Sequence, residues 1–454
     1  MSYSFQNNNE EEFDPFATEE GEHTVEGEGL RFTVNKYGYI ENLNKVLVPN
    51  LTKVQRRFIG KYLMLPRENR MGIISINEIE RFMFHAYRLE ANDIIFKTGM
   101  QVKVKLSGYI FRISERKITQ EDMQQLAMTL YDNPNANVLL SGPNDIDGGY
   151  SIKPELMKET DNVSRKETGD IIRYRYNITP VLVNGIRGFE STIRIFKSEP
   201  PTYDQIRVEQ YIRKSVYQKD GLIFIGGATG QGKSSLISSI IHNFIWEENP
   251  RYSKFALFES PIEQLYENLI AKYDSDVIVS QTEVPFHLSS FNASARNALR
   301  RALDVAVVGE SRDYETISTA VEFAQQGGLL FTTIHVNNSI SELIYRVVNM
   351  FPEEQQSTKL FEIITAMRLC VIQRLEPCLK GGRVAVREML EFTPEIISRL
   401  NKLNNIQEVT NELREIVKES GISMTESARR LFKEGEITQQ TLEYYEKLES
   451  RSDY

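Results

Sequence analysis

Along the first half of the chain, apolar residues change their period several times, and each change marks an element. In INEIERFMFHAYRLEA (76–91), Ile79, Phe82, Met83, Tyr87 and Leu89 recur near the spacing of one helix face, which predicts a helix. The stretches DIIFKTG, QVKVKLSG and YIFRIS then alternate or run apolar and are broken by glycine, as short antiparallel strands are. TQEDMQQLAMTLYDN predicts a second helix with Thr119 as its N-cap, and DIIRYRYNI and STIRIFK predict two more strands. The proline-punctuated SEPPTYDQI (198–206) reads as a linker, so these elements form a first α/β domain over residues 76–197.

Beyond residue 221 the pattern changes kind. GLIFIGG, KFALFES, DVIVSQ, DVAVVGES and GLLFTTIH are apolar on both faces and alternate with helical stretches, as expected of a central sheet covered by helices. A second α/β domain is therefore expected over 207–394. After residue 352 the pattern reads as mostly helical, with one strand-like patch, GRVAVREMLEF. A helical region over 395–454 contains the amphipathic NIQEVTNELREIVKES and MTESARRLFKEG. No internal repeat is visible.

Composition narrows the function classes. With 454 residues, 41% of them hydrophobic, the chain can bury cores for two or three domains. The net charge of −9 comes from one place: residues 1–30 hold nine carboxylates and no Lys or Arg. Without them acids and bases balance, which argues against a dominant surface for duplex nucleic acid. Residues 1–29 are expected to be a disordered acidic tail, since so few aliphatics cannot offset the entropy of ordering. Residues 30–75, with NLTKVQRRFIGKYLMLP, form an extension that either docks a partner or packs on the first domain. Cys370 and Cys378 are too few for a zinc site or a disulfide framework, which suggests a reducing compartment. There is no signal-peptide pattern and no apolar run near the ~18 residues that span a bilayer, so a cytoplasmic location is expected.

The chemistry begins at GGATGQGKSS (226–235), where Gly227, four residues, then Gly232, Lys233 and Ser234 match G-x-x-x-x-G-K-[ST]. Glycines let backbone N–H groups turn onto phosphate oxygens, Lys233 can reach the β and γ phosphates, and the Ser234 hydroxyl can ligate Mg²⁺. The stretch follows an apolar run and opens a helix, so loop and helix donors converge on one anion site. Gly227, Ala228, Thr229, Gly230, Gln231, Gly232, Lys233, Ser234 and Ser235 are the expected residues for binding ATP or GTP.

Hydrolysis needs a carboxylate near the metal and an organiser for the attacking water. LDVAVVGESRD places Glu310 at a strand's end, a candidate for polarising water or for holding Mg²⁺ through water, against the plainer reading of an ordinary strand-end carboxylate. FESPIEQL sets Glu259 and Glu263 after another apolar run, a pattern that by itself fits a solvated helix start equally well. FTTIHV sets His335 after a third, and a lone histidine is more often structural than catalytic.

The order and spacing of GGATGQGKSS, FESPIE, SQTEV, ARNALRRALDVAVVGESRDYETISTAVEFA and GLLFTTIHVNNSISELIYRVVNMFP resemble the secretion ATPases of the PilT-like, type II/type IV family. The resemblance runs over roughly residues 90–440, and RYRYNITPVLVNG with STIRIFKSEPPT is similar to the conjugation and Dot/Icm-type members. It implies a PAS-like N-terminal α/β domain and a RecA-like P-loop domain that together clamp Mg-ATP. It also implies a homohexamer that acts with inner-membrane secretion or pilus proteins, recruited to the membrane through them, with no strong nucleic-acid binding of its own. By the resemblance, Glu310 is the Walker B glutamate, Glu259 and Glu263 are the Asp-box carboxylates, and His335 senses the γ-phosphate. Glu259 is a further candidate for Mg²⁺ through water. Arg175 and Arg194 resemble arginines that face nucleotide in the family, with Arg173 expected to point to the opposite face or into a salt bridge. Two departures, Ser260 where the Asp box has Asp and Gly328 where the His box has its first His, bear on tuning rather than on activity.

Overall fold

A computed structural model describes residues 23–35, 40–41, 43–47, 51–65, 72–106, 108–133, 135–153, 171–196, 199–336 and 338–452. The chain divides into two compact units, Met1–Ser198 and Glu199–Tyr454.

The first unit is built on an antiparallel sheet of six strands. In chain order the strands of this unit are β1 (His23–Gly27), β2 (Leu30–Val34), β3 (Asp93–Lys97), β4 (Gln101–Leu106), β5 (Tyr109–Lys117), β6 (Ile146–Ile152), β7 (Ile172–Val183) and β8 (Ile186–Ile195). β3 to β8 form the sheet in the order β5-β4-β3-β8-β7-β6, while β1 and β2 pair only with each other. One face is covered by the helices Ile76–Arg88 and Gln120–Tyr131, the second opened by a capping box of Thr119 and Asp122. β7 shows why only one face is covered: Ile172, Tyr174, Tyr176 and Ile178 are buried, while the residues between them are partly exposed.

Two expectations need correcting here. The acidic tail was expected to run to residue 29; residues 1–22 lie outside the described residues, but His23–Gly27 form a strand. Pairing with β2 makes the difference, because Phe32 and Val34 on β2 are buried in the unit's core. Residues from the extension, including Leu51, Ile59, Leu63 and Ile74, join the same core. The second correction concerns Arg173. Residues two apart on a strand share a face, so Arg173 lies on the same face of β7 as Arg175 and donates to Ser151 Oγ at 3.2 Å.

The second unit carries a seven-stranded sheet. Its strands are β9 (Gly221–Gly226), β10 (Lys254–Glu259), β11 (Ile278–Glu283), β12 (Val305–Val308), β13 (Leu329–Ile334), β14 (Met367–Pro377) and β15 (Arg383–Glu391), in the order β11-β10-β12-β13-β9-β14-β15. All neighbours are parallel except β14 and β15, which form an antiparallel pair at one edge. β9, β12 and β13 are buried at every residue, as strands covered on both faces must be. β11, expected among the central strands, is the edge strand instead and is only partly buried.

β14 is a strand where a helical reading was expected. Leu369, Cys370, Val371 and Ile372 are all buried, and such a run carries neither helical nor alternating period. The helices Ile406–Ser420, Met424–Lys433 and Gln439–Ser452 contribute Leu413, Ala428 and Tyr445 to the sheet's own core. Among the described residues no helix is long and apolar enough to cross a membrane.

Candidate active site

Four parallel strands end along one edge of the second sheet, and their register fixes what stands there. Val308 of β12 lies opposite Phe258 of β10 and Thr332 of β13, while Ile334 of β13 lies opposite Gly226 of β9. Glu259, Glu310, His335 and the loop from Gly227 therefore follow one another at the carboxyl ends of adjacent strands, the place where ligands bind in open α/β sheets.

The loop turns through Gly230 and Gly232, whose φ values of +76° and +77° suit residues without a Cβ. It opens the Lys233–Glu247 helix, which aims its first N–H groups back at the loop. Lys233 is 8% exposed, and its Nζ donates to the carbonyls of Gly227 at 2.7 Å and Ala228 at 3.0 Å. Burial depresses its pKa, and the Glu310 carboxylate partly opposes that. Ser234 stands exposed in the same helix turn.

Glu310 is held on both oxygens. Oε1 lies 3.2 Å from His335 Nε2, and Arg312 Nη2 donates to Oε2 at 2.6 Å. Burial pushes the carboxyl up, but the Arg312 hydrogen bond and the charges of Arg312, His335 and Lys233 outweigh it and hold the pKa below the usual value. Glu310 is thus an ionised acceptor, and its charge reaches Lys233.

Glu259 accepts from Gln281 Nε2 at 2.9 Å. Tyr266 is fully buried, which with the charges of Glu259 and Glu263 raises its hydroxyl pKa, while Ser238 of the helix opened by Lys233 acts the other way. Both carboxylates are thereby set near that helix. Ser260 is exposed beside them. At Gly328, a Cβ would come 2.2 Å from the Phe323 ring, so the ring leaves no room for a histidine.

The two arginines expected from the first unit stand on its own sheet. Arg175 and Arg194 are direct cross-strand partners on β7 and β8. Arg175 pairs with Asp147 at 2.8 Å and Arg194 with Asp93 at 3.0 Å.

Three contributors escaped sequence reasoning: Arg312, Gln373 and Arg383. Arg312 sits two residues after Glu310, a spacing that could have been read. Arg383 Nη1 donates to the Gly230 carbonyl at 3.1 Å, and Gln373 Nε2 to the Gln231 carbonyl. These two lie on β14 and β15, whose pairing nothing local announces.

Among the described residues no group of three or more His, Cys, Asp or Glu could by itself hold a metal ion. A hard oxygen donor such as the Ser234 hydroxyl, with carboxylates at neighbouring strand ends, suits Mg²⁺ that arrives with a nucleotide and takes most of its ligands from phosphate and water.

Comparison with known proteins agrees with this arrangement. A family model described as type II/IV secretion system protein matches residues 159–448. The type IV pilus ATPase PilU of Pseudomonas aeruginosa is 28% identical over 54% of this chain, and the chain spans 62% of PilU's length. Among solved structures, the ATPase DotB of Legionella pneumophila is 32% identical with a TM-score of 0.74, covering 84% of this chain and 98% of DotB. The pilus retraction motor PilT with bound ADP is 26% identical with a TM-score of 0.65, covering 81% of this chain and 95% of PilT. With a family model matched over residues 159–448 and whole-chain likeness to DotB and PilT, the chain belongs to the type II/IV secretion system protein family, among its PilT-like ATPases.

Proposed function

We propose that this ATPase works as a homohexamer, hydrolysing Mg-ATP to power a bacterial type IV secretion or conjugative transfer system. The observation that carries the hydrolytic part is Glu310, an ionised carboxylate braced by His335 and Arg312 and within electrostatic reach of Lys233. The likeness to DotB supports the secretion assignment. In this reading the loop N–H groups and Lys233 hold the β and γ phosphates. Glu310 orients the attacking water, and His335, already bonded to it, registers the γ-phosphate. Ser234 and, through water, Glu259 would hold the Mg²⁺ that comes with ATP, which when bound would supply charge neutralisation at the phosphates. Arg175 and Arg194 are proposed to supply further cations to the transition state, and each replaced by Ala should lower kcat more than ATP affinity.

Lys233→Ala should abolish phosphate release, because its ammonium is the cation held inside the loop against the Gly227 and Ala228 carbonyls, where the β and γ phosphates would bind. Glu310→Gln should keep ATP bound while turnover falls by about 10² or more. Filter-bound ATP and released phosphate measure the two separately. A Glu310→Gln enzyme of ordinary activity would remove the water-orienting role.

A second reading, retraction of a type IV pilus, is favoured by the likeness to PilT. Expression in a retraction-deficient strain distinguishes it: restored twitching would support retraction, and restored substrate transfer in a secretion-deficient strain would support the first reading. In both, the protein acts from the cytoplasm and is recruited to the inner membrane by its partners.

A further inference from the structure

Behind the phosphate loop, a continuous line of buried polar groups runs away from the site. Gln373 lies within β14, one residue past the point where its pairing with β9 ends at Ile372 and Gly226, and so lies beside the loop's first turn. Its Nε2 donates to the Gln231 carbonyl, and a Cβ on Gly232 would come 2.9 Å from that same nitrogen. Gln373 Oε1 accepts from Arg387 Nε at 2.6 Å. A guanidinium only donates and a carbonyl only accepts, so these partners permit one orientation of the Gln373 amide: oxygen to Arg387, nitrogen to the loop.

Arg387 is the cross-strand partner of Gln373 on β15 and is 1% exposed. Its Nη1 donates to Glu209 Oε2 at 2.6 Å and to the Arg207 carbonyl at 3.3 Å. Glu209, itself 5% exposed, also accepts from Arg430 at 2.7 Å. Arg207 and Glu209 belong to the segment by which the chain enters the second unit after Ser198. Arg207 is anchored in turn to Glu436, which Lys380 also grips at 2.7 Å. The links among Gln373, Arg387 and Glu209 join side chains that have little water to turn to, so moving one of them leaves a buried donor or acceptor unpaired unless the next follows.

We propose that Gln373 and Arg387 are positioning residues that tie the phosphate loop to the Arg207–Glu209 segment, so that nucleotide in the loop and the conformation of that segment depend on each other. The proposal rests on the ATPase reading of the site. Any phosphate that reorients the Gln231 peptide pulls on the Gln373 amide, which cannot rotate without breaking its bond to Arg387. Arg387 in turn holds both a side chain and a carbonyl of the entering segment. The loop is thus gripped from behind by a side chain that is only 2% exposed.

The test is hydrogen exchange across residues 203–209 with and without ADP, in the wild-type full chain and in Gln373→Met. In wild type, ADP should change exchange at these amides. Gln373→Met fills similar space but neither donates nor accepts as an amide does. It should bind ADP within about twofold of wild type, show unchanged exchange at 203–209 without nucleotide, lose the ADP response there, and turn over about tenfold more slowly. An ADP response retained in Gln373→Met, or absent from wild type that binds ADP, would overturn the proposal. Failure of wild type to bind ADP would overturn the ATPase reading along with it. If Gln373→Met does not fold, Glu209→Gln, which keeps the shape but weakens the far end, takes its place with the same expected loss.

Discussion

Two buried titratable side chains give the two units opposite responses to pH. His85 is buried on the Ile76–Arg88 helix with Nε2 2.9 Å from the Leu63 carbonyl, and burial lowers its pKa from 6.5 to about 4. A base with a depressed folded pKa contributes stability that is fully present above pH 6.5 and lost as pH falls toward 4. Glu388 on β15 is buried, and burial raises its pKa from 4.5 to about 7 despite a hydrogen bond from the Ile340 amide. Its contribution is fully present below pH 4.5 and lost as pH rises through 7. Each is worth on the order of 3 kcal/mol at full extent. Thermal melts over pH 4–8 should therefore show His85→Gln flattening the acid side of the first unit's profile. Glu388→Gln should raise the second unit's midpoint above pH 7 and leave it unchanged or lower near pH 5. Profiles that both variants share with wild type would remove these two groups as the cause.

At the scale of elements, the β1–β2 hairpin shows how a polar stretch can still be structural. Phe32 is 5% exposed and meets the rings of Phe58 at 6.0 Å and Tyr62 at 5.5 Å. Phe32→Ala should lower the first unit's unfolding free energy by about 3–5 kcal/mol, measured by denaturant titration. A loss under 1 kcal/mol would mean the hairpin is an ornament. The same element explains what was legible. Thr119, Lys233 and Glu310 were readable because each sits where a local rule applies: a cap, a glycine loop, a strand's end, whereas His335 was assigned its role only through the family resemblance. The β1–β2 hairpin was not, because its polar flanks hide two buried apolar residues. β6 was missed because Gly148 and Gly149 interrupt its pattern, and β14 because four consecutive buried residues fit helix and strand equally. β15 was legible as the strand-like GRVAVREMLEF, but the roles of Gln373 and Arg383 were not, since side chains that reach the phosphate loop from behind are defined only by strand pairing across more than a hundred residues.

At the scale of the whole molecule, the proposed hexamer makes activity a property of the assembly. If copies fire in a coordinated ring, one Lys233→Ala copy disables more than itself. Mixing wild-type and Lys233→Ala chains should lower phosphate release more steeply than the wild-type fraction, and specific activity should rise with protein concentration as rings form. A strictly proportional fall would show that copies work independently, whatever their association.

The buried pair of Arg387 and Glu209 has a consequence for anyone who would improve this protein. Removing one partner strands a charge, which costs about 3–5 kcal/mol, but replacing Gln373, Arg387 and Glu209 together with well-packed apolar residues removes both buried charges at once, leaving the Gln231 and Arg207 carbonyls and the half-exposed Arg430 to find other partners, and such replacements of buried ion pairs are often neutral or stabilising. A screen for heat resistance would then reward the triple replacement, and a screen for turnover would reject it. Thermostability and motor output would part company at three positions that never meet the nucleotide.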